Sequence, residues 1–349
     1  MSAGSNVGTA FAWGKIMGLP VTVYRWDDVG APQLVDRKPS EIINILKKCL
    51  VDGYGNKQPA GWTVAFENTS SDQIVFTNDP TKGTGNSVKL YGLNNSNAVN
   101  GMMYFAPAFA YSDIDTPIKK GYRAGFHPFN ATFNNWMVIA TSNAFYLITS
   151  NLNAVSGYDT RNDVVIFVGD FNSVLPLDVG RFVAISSPVT NGDESLTSMT
   201  SWAYCLQRAW YDRSSTQAGY SPLKVYNADN SDTYNEYGLV AASAPTTGSS
   251  APDLSTIKRG LYFPIYIQMK NKYITDSSKD INGVALYNST VSPSLRGFLN
   301  GLLVELSPRY SSENWPVFDS INGKNHLLMR CMTTSAFVWL NCEEWWWWV

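Results

Sequence analysis

Hydrophobic and polar positions alternate with a period of two through much of this chain and with a helical period in one place. Val21-Thr22-Val23-Tyr24-Arg25-Trp26 alternates and is rich in β-formers, which predicts a strand, and Asp27 to Pro32 turns the chain. A helix is predicted over about 40–52, because Ile42, Ile43, Leu46, Cys49 and Leu50 fall on one face. Ser40 stands where a cap is wanted, Gly53 where a helix stops, and Lys47 and Lys48 complement the helix dipole. Short strands are then expected at Trp62–Phe66, Gln73–Phe76 and Val88–Tyr91. Trp136–Ala140, a turn at Ser142-Asn143 and Phe145–Ile148 read as a hairpin. The continuous apolar run Val164–Val168 reads as a central strand stopping at Gly169-Asp170, with Arg181–Ile185 as the next. Leu261–Ile267, Leu302–Leu306, His326–Met332 and Ala336–Leu340 are also strand-like, and no fixed period points to a propeller or solenoid.

This pattern predicts a mainly β chain, an antiparallel sandwich or barrel-like fold with one N-terminal α-helix, with α+β as the alternative class. Four segments follow: an arm at 1–19, a β-rich body at 20–240, a low-complexity loop or linker at 241–256, and a second β-rich region at 257–349. The first nineteen residues carry Gly, Ser and Asn, with Lys15 interrupting a weak apolar stretch, so they read as a flexible arm, or a leader before a second candidate start at Met17, and not as a secretory signal. Charged residues are only 15% of the chain while aromatics reach 13%, which suits β-structure with broad, mostly uncharged contact surfaces. A net charge of −2 without a basic stripe gives no basis for nucleic-acid or membrane-surface binding. No apolar run approaches the ~20 residues that span a bilayer.

Candidate chemistry is thin. Cys49, Cys205, Cys331 and Cys342 form no C-x-x-C pair, and buried free thiols are expected. His127 and His326 are the only histidines, too few for a multi-histidine metal site. Asp113 and Asp115 share a face if extended, as a glycosidase pair must, but read as surface turn residues; Asp193-Glu194 and Glu343-Glu344 point to opposite faces. Gly83-Thr84-Gly85-Asn86-Ser87 resembles a phosphate loop only in its glycines and reads as a hairpin loop. No catalytic residue, cofactor or metal is therefore predicted.

Aromatic residues carry the interaction candidates. Tyr104, Phe105, Tyr111, Tyr122, Phe126 and Phe129 are read as core, with a surface for sugars or a neighbouring subunit as the alternative. Trp202 and Trp210 bracket Arg208 in a segment suited to gripping a partner, since Trp and Arg are favoured at interface hot spots. Trp345, Trp346, Trp347 and Trp348 stand together just before Val349. Each buried ring is worth on the order of 4–6 kcal/mol gross, and in an extended segment the rings face both ways. We favour burial of this tail against another subunit over a last strand slotted into the chain's own fold.

Several segments together resemble a family of tailed-bacteriophage virion structural proteins. They are Val23-Tyr24-Arg25 through Ala31-Pro32 to Cys49-Leu50-Val51-Asp52-Gly53-Tyr54-Gly55 and Ala60-Gly61-Trp62-Thr63; the pair around Trp136 and Phe145-Tyr146-Leu147 with Phe167-Val168-Gly169-Asp170-Phe171; and Leu295-Arg296-Gly297-Phe298-Leu299-Asn300-Gly301-Leu302-Leu303 with Asn322-Gly323-Lys324. The resemblance spans most of 20–340 and implies a β-rich, non-enzymatic virion component, without fixing its place in the particle; we favour the neck or tail, with head decoration as the alternative. Its partners would be copies of itself and other virion proteins, with no nucleic acid and no membrane. The competing class is a receptor protein that binds or cleaves a host surface glycan.

Overall fold

The computed structural model describes residues 18–126, 134–150, 164–186, 223–240, 262–269, 292–305, 315–329 and 337–345. Within them the chain is mainly β with antiparallel sheets and a single α-helix, and no barrel closes.

In chain order, β1 (Leu19–Pro20) and β2 (Thr22–Arg25) precede α1 (Pro39–Lys47), which widens into a π-turn at Lys48–Asp52. An antiparallel meander follows: β3 (Thr63–Asn68), β4 (Gln73–Thr77), β5 (Ser87–Gly92), β6 (Met103–Asp113) and β7 (Thr116–Lys120), with β8 (Ala124–Phe126) also on β6. Next come β9 (Asn135–Ala140), β10 (Ala144–Ser150), β11 (Val164–Asp170), β12 (Asn172–Ser173) and β13 (Phe182–Ile185). The C-terminal half adds β14 (Leu223–Tyr226), β15 (Tyr234–Val240), β16 (Tyr262–Met269), β17 (Leu295–Glu305), β18 (Phe318–Ile321), β19 (Lys324–Met329), β20 (Phe337–Asn341) and β21 (Glu344–Trp345).

The five-stranded sheet β13-β11-β10-β9-β2 is the middle layer. Its strands are apolar on both faces, and successive side chains divide between two cores. Ala144, Tyr146 and Ile148 of β10 pack with Leu299, Leu302 and Trp339 of the eight-stranded sheet β14-β15-β16-β17-β20-β19-β18, which β12 joins through β17. Phe145 and Leu147 pack instead with Ile42 and Leu46 of α1 and with Phe76, Leu90 and Phe105 of the meander. A strand covered on both sides reads as a continuous apolar run, and Val164–Val168 follows that rule.

The helix buries Ile42, Ile43, Ile45 and Leu46, but its cap differs from the expectation at Ser40. Lys38 is the N-cap, and Pro39 occupies the first helical position, where a missing N–H costs nothing. The Glu41 carboxylate accepts the backbone N–H of Asp36 at 3.1 Å and of Lys38 at 3.3 Å. Ser40 instead donates its own N–H to Asn97 Oδ1. Gly53 ends the π-turn at φ +78°, its N–H bonded to Lys48 O at 2.8 Å.

The hairpin predicted at 136–148 pairs as β9 and β10, Phe145 opposite Ala140. Sequence reasoning missed β1, β6, β7, β8, β12, β14, β15 and β18. The stretch 241–256 lies outside the described residues; it joins β15 to β16, which are hydrogen-bonded neighbours in one sheet. The regions drawn on either side of it therefore share a sheet and a core.

Candidate functional site

Residues that carry the family resemblance lie mostly inside the molecule. Asp170, fully buried at the end of β11, accepts the Thr84 N–H at 2.8 Å and the Thr84 hydroxyl at 2.7 Å. Burial pushes its carboxyl up, against the pull of the Arg181 guanidinium 3.4 Å away and of Thr84. The Gly83–Ser87 segment thus closes the β4–β5 connection and enters β5 at Ser87, held by the chain's own carboxylate. Nearby, Arg296 makes a two-pronged bond to Asp178 at 2.7 Å on each side, and both side chains are fully buried. A third donor goes to Tyr226 O at 2.8 Å. Burial works against the Arg296 charge, yet Asp178 and Tyr237 together hold the guanidinium above its ordinary value. This polar junction, with Asn300 donating to Asp170 O at 2.7 Å, ties the middle sheet to the eight-stranded one. Trp62 does similar work elsewhere, its indole N–H bonded to Thr141 O at 3.0 Å.

A second feature is the ribbon where the two ends of the described fold meet. Leu19 pairs with Trp345 and Pro20 with Glu344, and Val21 N–H reaches Glu343 O at 2.9 Å. Asn341 Oδ1 accepts the N–H groups of Glu343 and Glu344, which turns the chain out of β20 into β21. For Trp345 the expectation of burial against another subunit is corrected. Its ring is 1% exposed within its own chain, stands edge-on to Tyr146 at 5.4 Å and donates to Asn341 O at 2.9 Å. Gly301 makes room: at φ +67° it has no side chain, and a Cβ there would lie 2.3 Å from Trp345 Nε1. Lys324 clamps the outer side through Glu344 at 3.0 Å and Glu343 at 3.5 Å. His326, buried beneath the ribbon, has its pKa lowered by burial.

The third feature is an open groove of about 460 Å³ on the meander. Alternation along β5 sends Val88 and Leu90 to the core and leaves Lys89 and Tyr91 on the outer face, opposite Ala106 and Tyr104 of β6. Between the last pairing of β7, Lys120 with Ala108, and the first of β8, Ala124 with Phe105, residues 121–123 pair with nothing in the ladder. Pro107, which has no N–H to offer, sits opposite that gap on β6, and its carbonyl accepts the Gly121 N–H at 2.8 Å. The floor of the groove is this irregularity. Its walls carry Lys89, Lys120 and Arg123, the phenols Tyr91 and Tyr111, and the carboxylate Asp115. Arg123 lies 4.2 Å over the Tyr104 ring and donates to Tyr91 OH at 3.3 Å; Lys89 bonds Asp115 at 2.6 Å and lies 5.1 Å over the Tyr91 ring.

Of the interaction residues predicted from sequence, Trp202, Arg208, Trp210, Trp346, Trp347 and Trp348 lie outside the described residues. Of the aromatics read as core, Phe105 and Phe126 are in it; Tyr104 is buried on the outer face beneath Arg123, Tyr111 and Tyr122 are only half-buried, and Phe129 lies outside the described residues. Asp113 and Asp115 stand in the β6–β7 turn, where Asp113 Oδ1 accepts the Asp115 N–H. Cys49 and Cys342 are free and buried, and burial pushes the Cys342 thiol up to about 12. Among the described residues no group of acidic, histidine or cysteine side chains is placed to hold a metal. Sequence reasoning missed the groove; Pro107, within the low-propensity stretch Ala106-Pro107-Ala108, is the signal that points to it. No protein-family model matches the chain, and no curated protein matches it.

Proposed function

We propose that this chain is a non-enzymatic structural subunit of a tailed-phage virion, built into the neck or tail through contacts between subunits. Head decoration is the alternative position. The observation that carries this reading is the terminal ribbon: residues 1–17 and 346–349 both adjoin a single pair of short strands, Leu19–Pro20 and Glu344–Trp345. Leu19–Pro20 and Glu344–Trp345, drawn from the arm and the tail expected to make intersubunit contacts, are thus one paired ribbon. In the proposed assembly this ribbon is where those contacts are made, through main-chain hydrogen bonds to a neighbour's sheet edge and through burial of rings. In a closed ring of subunits such contacts add by avidity. The resemblance of segments across residues 20–340 to tailed-phage virion proteins supports the same reading.

Light scattering behind a sizing column tests it, comparing the full chain with one ending at Trp345, which retains the buried ring. The expected result is a defined oligomer for the full chain and a folded monomer for the shortened one. Folded monomers in both cases overturn the self-assembly reading.

A further inference from the structure

We propose that the loop Val174–Leu177, with Leu295 beside it, is a self-docking patch that packs against the same patch of a second copy of this chain. The patch is a different surface from the terminal ribbon, and the proposal rests on the reading that the chain assembles with itself.

The starting observation is a residue that breaks two local rules at once. Leu177 is 91% exposed, and it holds a left-handed backbone at φ +54°. That backbone brings Cβ too close to the following carbonyl oxygen, a cost that Gly escapes and that Asn or Asp offset with local hydrogen bonds. Most non-glycine residues with positive φ among the described residues are Asn or Asp, and Leu177 is the one with an apolar side chain. Asn at this position would ease the strain and suit the exposure. The lone chain gains nothing from Leu177, whereas a contact would. Local rules broken without gain inside the fold collect at functional sites.

Neighbouring residues make it a patch. Val174 and Pro176 are exposed, and the Val174 N–H bonds Arg296 O at 2.9 Å, which sets the loop beside exposed Leu295. The base is rigid. Buried Asp178 pairs with Arg296 and accepts the Ser173 hydroxyl at 2.6 Å and the Gly180 N–H at 2.9 Å. Ser173 Oγ in turn accepts the Leu175 N–H at 3.1 Å. A knob already set in shape loses little freedom on docking.

Chemistry selects the partner. From Val174 to Leu177 there is no charge, no hydroxyl and no aromatic ring, and the charges of Asp178 and Arg296 at the base are fully buried. Nucleic acid and glycans therefore find neither donors nor a stacking face, and a convex knob encloses no small molecule. A bilayer is disfavoured too, because the tip lacks the basic residues and the Trp or Tyr that seat interfacial segments. An apolar protein surface remains. A charged patch repels its own copy, but an uncharged apolar one complements itself, as a two-fold contact requires. The contact is small, so it counts where copies are already held near one another.

Sedimentation velocity of the full chain over a range of concentrations tests this, with Leu177→Asn as the variant. The concentration needed for assembly should rise about tenfold, while the thermal unfolding midpoint holds or rises. Leu177→Cys adds a positional test. Under mild oxidation it should link two copies through that position, because a two-fold contact brings the pair within disulfide reach. Val29→Cys, exposed on another loop, gives the rate of random collision. Flotation with phosphatidylcholine–phosphatidylglycerol vesicles checks the bilayer. The proposal is overturned if assembly weakens only together with a lowered midpoint, if Leu177→Cys links no faster than Val29→Cys, or if the parent floats with vesicles and Leu177→Asn does not. A parent that stays monomeric at every concentration removes the self-assembly reading and this contact with it. An oligomeric parent that Leu177→Asn leaves unchanged removes this contact alone.

Discussion

The junction around Arg296 and the groove around Arg123 use one set of side chains for opposite ends. Each brings basic side chains, an aspartate and tyrosines together. At the junction, Arg296 and Asp178 are both at 0% exposure; Arg296 also donates to Tyr226 O, and Asp178 also accepts the Ser173 hydroxyl and the Gly180 N–H. At the groove, Lys89 is mostly covered while its partner Asp115 is 74% exposed. The chemistry is the same and the dielectric is not. A charge removed from water must be paired by the fold and has nothing left over, whereas a charge at a rim costs little and remains open to exchange. Burial, more than residue type, separates a charge that holds layers together from one that stays in contact with water.

The strongest way to break this comparison is Arg296→Leu. It leaves Asp178 buried without its counter-charge, and we expect a loss of about 3–5 kcal/mol in urea unfolding at pH 7. Removing the second charge as well, by Asp178→Leu in the same chain, should restore much of that loss, because the penalty belongs to the orphaned carboxylate. If the double variant is no better than the single one, packing rather than charge explains the junction. Gly301→Ala ranks next. It forces a side chain into φ +67° and against the Trp345 indole, and should cost about 1–3 kcal/mol while disturbing tryptophan fluorescence.

Much of this architecture was legible in the chain, for reasons that individual residues explain. The β9–β10 hairpin was visible because its strands are uninterrupted β-formers around a polar turn, and β11 because burial on both faces leaves a solid apolar run. β6 was not visible. Its Ala106-Pro107-Ala108 stretch has low strand propensity, and only the gap between β7 and β8 makes a proline tolerable there. The groove escaped for the same reason, since it exists only where β5, β6 and β7 come together. Trp345 was flagged as an interaction residue because four adjacent rings looked like a surface. What hid its cis packing was Gly301, a residue 44 positions away whose missing side chain makes the pocket.

The terminal ribbon sharpens the comparison through pH. Burial lowers the pKa of His326 from its ordinary 6.5, although Lys324 O and the Glu343 charge pull the other way. A depressed folded-state value means that stability is fully present above pH 6.5 and is lost as pH falls through the folded pKa, because the unfolded chain takes up the proton first. Glu343, whose pKa is lowered chiefly by the Asn325 N–H, acts in the same direction at still lower pH. Thermal unfolding should therefore fall as the solution is acidified below pH 6.5, and His326→Gln should flatten that slope. An unchanged slope would mean that the ring is hydrated in solution and the ribbon opens without unfolding the chain.

The smallest expected effect is the most discriminating. Asp115→Asn preserves shape at the groove rim, removes one charge and leaves Lys89 without its ionic partner. If exposure sets the value of a charge, stability should change by no more than about 1 kcal/mol, because the Asp115 end of the pair already stands in water and an amide oxygen there can still accept from Lys89. A stability loss as large as that of Arg296→Leu would make the groove a second structural junction, since only a pair shielded from water makes its surviving member so costly.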